Sequence, residues 1–229
     1  MDAGLVSCLC VTRLRAARLR RAIGCFQRQT YTPRELLVVY ETDDAETAAL
    51  LASIADPAIR GHAVPALPKQ SLGALRNIAV AHARGEYIAQ WDDDDWYAPT
   101  RLTVQLGAMR QMALPVCVLK RWIMFDELTG TAYVSAARGW EGSVVARRGV
   151  LGRYADLPRG EEAEAFSVLA GHDSLVLVDR PDLYIYTVHA HNTWDRSHWL
   201  TNLLPYATAL AAPDQARVRA LLEQTLETP

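Results

Sequence analysis

Cysteine is scarce in this sequence, and long apolar runs are absent. The 229 residues include four cysteines, Cys8, Cys10, Cys25 and Cys117. They form no C-x-x-C pair and are too few for a disulfide scaffold. Cys8 and Cys10 alternate within an apolar run, which reads as buried free thiols. No apolar stretch approaches the ~20 residues of a membrane span and no signal-peptide pattern opens the chain, so a cytoplasmic protein is expected. Net charge is small, formally −2, which excludes the strongly basic balance of a general nucleic-acid binder. Repeats, low-complexity tracts and Gly/Ser linkers are also missing. Apolar residues are plentiful at 50% of the chain, enough for a substantial core.

The first half alternates strand and helix signals. "LVSCLCV" (5–11) and "ELLVVY" (35–40) are short apolar β-type runs, 62–66 is a third, and 87–91 a fourth. Between them, Leu19, Ile23 and Phe26 recur at helical spacing. Asp43 or Asp44 caps a helix through Leu50, Leu51 and Ile54, and 72–83 is helical with Gly85 at C′. Pro99 opens a further helix to about Met112. This alternation predicts a mostly parallel sheet flanked by helices. The second half is mixed. "VCVLKRWIMF" and "TAYVSA" flank a hairpin-like "DELTG", followed by helical "EEAEAFSVLAG", strands "SLVLV" and "LYIYTVH", and a C-terminal amphipathic helix. One compact domain over 1–229 with two functional halves is expected.

The most informative stretch is "GEYIAQWDDDDWYAP" (85–99). Four adjacent carboxylates follow a buried strand, at the strand end where open parallel sheets bind ligands. In an extended segment Asp92 and Asp94 would share one face and Asp93 and Asp95 the other. A divalent cation makes such clustering tolerable, and Mg²⁺ or Mn²⁺ prefer oxygen ligands and phosphates. A solvated acidic turn with Asp95 capping the next helix is the plainer reading. The flanking aromatics and the strand-end position favour a cation–phosphate site.

These residues carry a resemblance. "CVTR", "RQTYTPRELLVVYETDD", "LGALRNIAVAHARGEYIAQWDDDDWYAPTRL", "RGEEAEAF" and "LYIYTVHAHNTW" occur in the order found in family 2 glycosyltransferases of the GT-A fold, across most of residues 5–195. The resemblance implies inverting transfer of a sugar from a nucleotide-sugar to an acceptor hydroxyl, usually with Mn²⁺ or Mg²⁺. About 1–99 would then bind the donor, and about 100–229 would carry the base and the acceptor surface. Asp92-Asp93-Asp94 falls on the D-x-D motif, with Asp94 the expected metal ligand and Asp92 and Asp93 facing the ribose or sugar, Asp92 also a candidate ligand. Thr12 falls where the first loop meets the nucleobase. Glu41 lies near the acid that reads uracil, which makes a UDP-sugar the expected donor, although "VVYETDD" stands where V-D-D-G-S is commoner. Arg76 and Asn77 match a pair near the donor phosphates.

Glu162 matches the second acid of the family's Glu-Asp pair, the base that activates the acceptor hydroxyl; Glu161 competes for the role. His189 matches the first histidine of the family's H-G-x-N-T-W, and His191 its variable position; either is a candidate to complete the metal site. Trp140 and Trp194 are candidate sugar platforms. "RLRAARLRR" (13–21) suits either a solvated helix face or contact with an anionic membrane surface, as a lipid-linked glycan acceptor would need. The expected partners are thus a nucleotide-sugar donor and a carbohydrate or lipid-linked acceptor, with at most peripheral membrane contact and no nucleic acid. Two rival readings are a sugar-phosphate nucleotidyltransferase and a non-catalytic nucleotide-sugar-binding module. The first usually has a Gly-rich loop after its first strand, and "CVTRLRAARLRR" has no glycine; the intact acids oppose the second.

Overall fold

The computed structural model describes residues 4–167 and 175–224. Strands β1 (Val6–Val11), β2 (Arg34–Glu41), β3 (Ile59–Val64) and β4 (Tyr87–Gln90) alternate with helices α1 (Ala16–Gln27), α2 (Ala45–Ala52) and α3 (Leu72–His82). The short β5 (Trp96–Tyr97), helix α4 (Arg101–Met112) and strands β6 (Val116–Leu119), β7 (Ile123–Asp126), β8 (Thr131–Val134) and β9 (Trp140–Arg147) follow. The chain continues through α5 (Glu162–Ser167), β10 (Leu175–Val178), β11 (Tyr184–Val188), α6 (Arg196–His198), β12 (Thr208–Ala209) and α7 (Ala212–Gln224). Residues 168–174 and 225–229 lie outside the described residues, and with them the later part of "EEAEAFSVLAG" (168–171) and the end of the expected C-terminal helix (225–227).

The larger sheet has the order β10-β6-β9-β4-β1-β2-β3. All its neighbours are parallel except β9, which runs antiparallel to both β4 and β6. A mostly parallel sheet flanked by helices is therefore the architecture, as the alternating pattern predicts. β1 lies between β2 and β4, so the chain order reverses beside it. Ligands bind outside the carboxyl ends of strands at such a switch point, and the ends of β1 and β4 carry Thr12 and the aspartates. A smaller mixed sheet, β12-β8-β7-β11-β5, makes the second layer. Its β5–β11 pairing, Trp96 to Ile185 and Tyr97 to Tyr184, ties the segment after the aspartates to the C-terminal half.

Local physics explains the helices that matter for the site. In α1, Leu19, Ala22, Ile23 and Phe26 form one buried stripe. Asp44 settles the choice of cap for α2, since its side chain accepts the Thr47 N–H. Ser71 caps α3 by accepting the Ala74 N–H, and this start turns Arg76 to the buried face with Gly73, Leu75 and Ala79. The β7–β8 hairpin matches the turn in "DELTG". The strand β9 and the two-residue β5 and β12 escaped the sequence reading. β9 mixes small and polar residues with its apolar ones, and "VCVLKRWIMF" divides between β6 and β7, which belong to different sheets.

Gly85 does not act as a left-handed helix terminus. α3 ends at His82 and is followed by Ala83 in extended backbone, and Gly85 is required for another reason. A Cβ there would lie 2.6 Å from the carbonyl oxygens of Leu5 and Tyr87. Gly73 is tighter still: a Cβ would sit 1.7 Å from the Ala155 carbonyl oxygen and 3.1 Å from Glu161 Cβ. Gly73→Ala is expected to lower stability by about 1–3 kcal/mol in urea unfolding. Gly107→Ala is the control, since nothing lies within 4 Å of its Cβ position in α4; it should be neutral or stabilising by roughly 0.5–1 kcal/mol.

Candidate active site

The four aspartates are not a solvated turn. Asp93, Asp94 and Asp95 are buried, and Asp95 caps no helix. Because β4 ends at Gln90 and residues 93–94 form a turn, strict alternation of faces fails. Asp92, Asp93 and Asp94 all line one cavity of about 420 Å³. Asp95 alone turns into the core, accepting the Thr187 N–H at 2.8 Å and the Tyr184 hydroxyl at 2.5 Å. Burial, then the neighbouring charges of Asp94 and Asp92, push its carboxyl well up.

The other three share two arginines, Arg76 at Asp92 and Arg15 at Asp93 and Asp94. Arg76 Nη2 donates to Asp92 at 3.1 Å, and Gln90 Nε2 adds a bond at 3.1 Å. Thr12 Oγ1 donates to Asp93 at 2.5 Å, joining the ends of β1 and β4. Arg15 Nη1 lies 3.4 Å from Asp93 Oδ1 and 3.0 Å from Asp94 Oδ2. His189 Nε2 reaches Asp94 Oδ2 at 3.0 Å. Burial and the adjacent Asp94 push the Asp93 carboxyl up to about 7. For Asp94, burial opposes ionisation, but His189 and Arg15 outweigh it and hold the carboxyl below its usual value. Asp94 is thus the carboxyl of the cluster that is held toward its charged form, while burial pushes Asp92, Asp93 and Asp95 the other way.

Arg76 connects this cluster to the second half. Its Nε donates to Glu161 Oε1 at 2.7 Å, and Nη2 lies 3.6 Å from Glu162 Oε1. Burial opposes its charge, yet Asp92, Glu162 and Glu161 together hold its pKa well above normal. The acidic pair divides as a helix start requires. Glu161 is 1% exposed and held by Arg76, and burial raises its pKa, aided by the charge of Glu162 and opposed by Arg76. The Glu162 side chain is 23% exposed; both residues line the cavity.

The other expected site residues are spread around this centre. Glu41 is buried at the end of β2, where Lys69 Nζ and Arg13 Nε both bond its Oε2; its Oε1 has no partner. Neither Glu41 nor Thr12 lines the cavity. Asn77 faces away, exchanging two bonds with the Tyr154 backbone at 2.8 and 3.0 Å, so it braces the loop before α5. His189 and His191 follow the end of β11 and do not share a strand face; their rings are 6.4 Å apart at 50°. The His191 ring is outside the cavity lining, while its N–H donates to His189 Nδ1 at 3.0 Å and its carbonyl accepts from Arg15. Trp140 and Trp194 both line the cavity.

Among the described residues, no three His, Cys, Asp or Glu side chains are grouped as a ready-made metal site. The donor set still fits a cation that shares its coordination with phosphates, because three carboxylates, Asp92, Asp93 and Asp94, converge on the cavity. Asp94 and Asp92 are the residues that would hold it. His189 is placed differently. The backbone donor at Nδ1 assigns its ring proton to Nε2, which makes it a donor to Asp94 here and not a free lone pair.

Several site residues were not singled out from sequence. Arg15 was hidden in the run 13–21, of which four of the five arginines are engaged internally: Arg13 with Glu41, Arg15 with the aspartates, Arg18 with Glu127 and Arg21 with the Asp94 carbonyl. The run is therefore not a free basic patch. Trp122 stacks on Trp140, Tyr184 and Tyr186 to make the aromatic wall. Only the density of aromatics in "KRWIMF" and "LYIYTVH" hinted at it. No helix among the described residues is long and apolar enough to cross a membrane.

Comparison with known proteins agrees with this geometry. The Glycosyl transferase family 2 model matches residues 7–150. The S. aureus TarS 1-349 structure in complex with UDP-GlcNAc superposes with a TM-score of 0.61 at 14% identity, covering 96% of this chain and 66% of that one. The mannosyltransferase PcManGT from Pyrobaculum calidifontis, in complex with GDP-Man and Mn2+, gives 0.61 at 15% identity, with 84% and 59% covered. The chain thus spans about two thirds or less of the length of these structures. No curated protein matches it. With the family model matching well over half of the sequence and the GT-A-like sheet beneath it, the chain belongs to glycosyl transferase family 2.

Proposed function

We propose that the protein is a metal-dependent, inverting glycosyltransferase that moves a sugar from a nucleoside-diphosphate sugar, a UDP-sugar in the first instance, to an acceptor hydroxyl. The observation that carries this reading is Arg76, which ties Asp92 and the Glu161–Glu162 pair to one another at the lining of one cavity. A leaving-group site and a candidate base thereby face the same space.

Glu162 is the base in this reading. It faces the cavity without being consumed by the buried ion pair that holds Glu161. It takes the proton of the acceptor hydroxyl as that oxygen bonds to the anomeric carbon, while the carbon–oxygen bond to the diphosphate breaks on the opposite side, which inverts the centre. Arg76 holds the acids in position and Thr12 fixes the Asp93 rotamer. When bound, the cation screens the diphosphate and stabilises it as a leaving group. The uridine preference rests on Glu41 at the end of β2: its Oε1 has no partner, although the residue is buried outside the cavity lining and would have to be uncovered to accept a base N–H. TarS complexes with UDP and UDP-GlcNAc support that base, and the PcManGT complex with GDP-Man and Mn2+ supports the cation. The acceptor is a carbohydrate or lipid-linked glycan.

Calorimetric titration of UDP and of GDP, with Mn²⁺ and with EDTA, tests the reading. Binding should require the cation, and Asp94→Asn should weaken it on the order of tenfold or more. Equal affinity with and without the cation would remove the metal-bridged site. A slow release of nucleoside diphosphate from the donor without acceptor separates an enzyme from a binding module.

A further inference from the structure

Four arginines line the cavity, and two of them are already paired. Arg15 serves Asp93 and Asp94, and Arg76 serves Asp92 and Glu161. Two others are different. Arg138, in the loop entering β9, and Arg159, in the loop entering α5, both line the cavity, and among the described residues neither makes an ion pair or a side-chain hydrogen bond. Both are exposed.

Each is nevertheless held in place by a ring. The Arg138 guanidinium lies 3.8 Å from the Trp140 ring centroid, and Arg159 lies 5.2 Å from that of Trp194. Trp140 is itself stacked on Trp122 at 4.5 Å, and Trp194 on His198 at 4.2 Å and 24°. A guanidinium resting on an indole keeps its N–H edge free, and that edge matches two oxygens of one anion. The two arginines also approach one place. Burial lowers the His198 imidazole pKa, and, although Asp195 opposes it, both arginines add to the lowering. The nearby acids leave the edge open: the Asp195 carboxylate caps the short α6, accepting Ser197 Oγ at 2.6 Å and the His198 N–H at 3.0 Å. Glu141 lines the cavity but pairs with neither arginine.

An anion not bridged by a cation could not settle against Asp92–Asp94 or the Glu161–Glu162 pair without strong repulsion, so this aromatic–arginine wall is where a free negative group would be received. We propose that Arg138 and Arg159 clamp an anionic group, a phosphate or a carboxylate, carried by the acceptor. The inference rests on the transferase reading above and narrows its acceptor to an acidic glycan or a phosphate-bearing one. The neutral parts of such an acceptor would pack on Trp194 and Trp140.

Ligand-detected NMR on the full chain, with UDP and Mg²⁺ present and again with neither, tests the clamp. The probes are glycerol 3-phosphate, glucuronate, and their uncharged counterparts glycerol and glucose. The anionic probes should bind at least about tenfold more tightly than the neutral ones, with the preference falling as salt rises. Arg138→Gln and Arg159→Gln should each cost about tenfold in anion affinity, and the Lys variants less, because charge remains while the fork is lost. The phosphate and carboxylate arms identify which group is preferred. Equal binding of charged and neutral probes, no binding of either anion, or unaltered affinity in the Gln variants would overturn the proposal. So would variants that weaken UDP tenfold and leave the anionic probes alone, since the arginines would then serve the donor. Failure of UDP to bind while the anions still bind at Arg138 and Arg159 would count against the transferase reading and leave the clamp standing.

Discussion

Glu162→Gln is expected to lower sugar transfer by about 10²–10⁴-fold, the usual worth of a general base, and to leave donor affinity nearly unchanged. Glutamine preserves volume and a carbonyl acceptor but cannot take the hydroxyl proton. The geometry makes the partner variant informative. Glu161 is buried and bonded to Arg76, so Glu161→Gln should act on stability and on the placement of Arg76 more than on proton transfer. Single-turnover transfer measured beside calorimetric donor binding separates the two. A large loss of transfer in Glu161→Gln with none in Glu162→Gln would exchange their roles. An unaffected rate in both would move the base elsewhere.

The resemblance favours Glu162 over Glu161, but which of the two is buried was not legible in "RGEEAEAF" itself. What decides it is where α5 begins and which carboxylate Arg76 captures, and Arg76 is 85 residues away from Glu161. The parallel sheet, by contrast, was readable because its apolar runs and helix caps are local signals. The hairpin at 126–131 was readable for the same reason. The strand β9 was not, since it is specified by antiparallel neighbours on both sides, β4 and β6, more than by its own composition. The same holds for the acidic cluster. Sequence placed four aspartates at a strand end, but their different roles come from partners far along the chain: Thr12, Arg15, Arg76, Tyr184 and His189. Likewise the basic run 13–21 reads as a patch in one dimension, while folding turns its arginines toward four separate acceptors.

Arg76→Met is expected to destabilise the protein by about 3–5 kcal/mol, because removing one partner of a buried ionic group strands the others. Here it strands Asp92 and Glu161 and deprives Glu162 of its nearest cation. The loss should depend on pH in a definite direction. Burial already raises the Asp92 and Glu161 carboxyls, and Arg76 is the largest influence opposing that rise. Without it their folded-state pKa values climb further above those of the unfolded chain, near 4. The folded protein then binds more protons than the unfolded one, so the variant loses stability as pH rises through those elevated values and regains it below them. Urea unfolding of wild type and variant across pH 5–8 should therefore show a gap that widens upward. Adding Glu161→Gln to Arg76→Met should recover part of the loss, with a coupling of roughly 0.5–3 kcal/mol between two residues in direct contact. A gap below about 1 kcal/mol that is flat with pH, or strict additivity of the two substitutions, would mean that Arg76 does not compensate these carboxylates. The link it makes between the two halves of the cavity would then be geometric contact without energetic consequence.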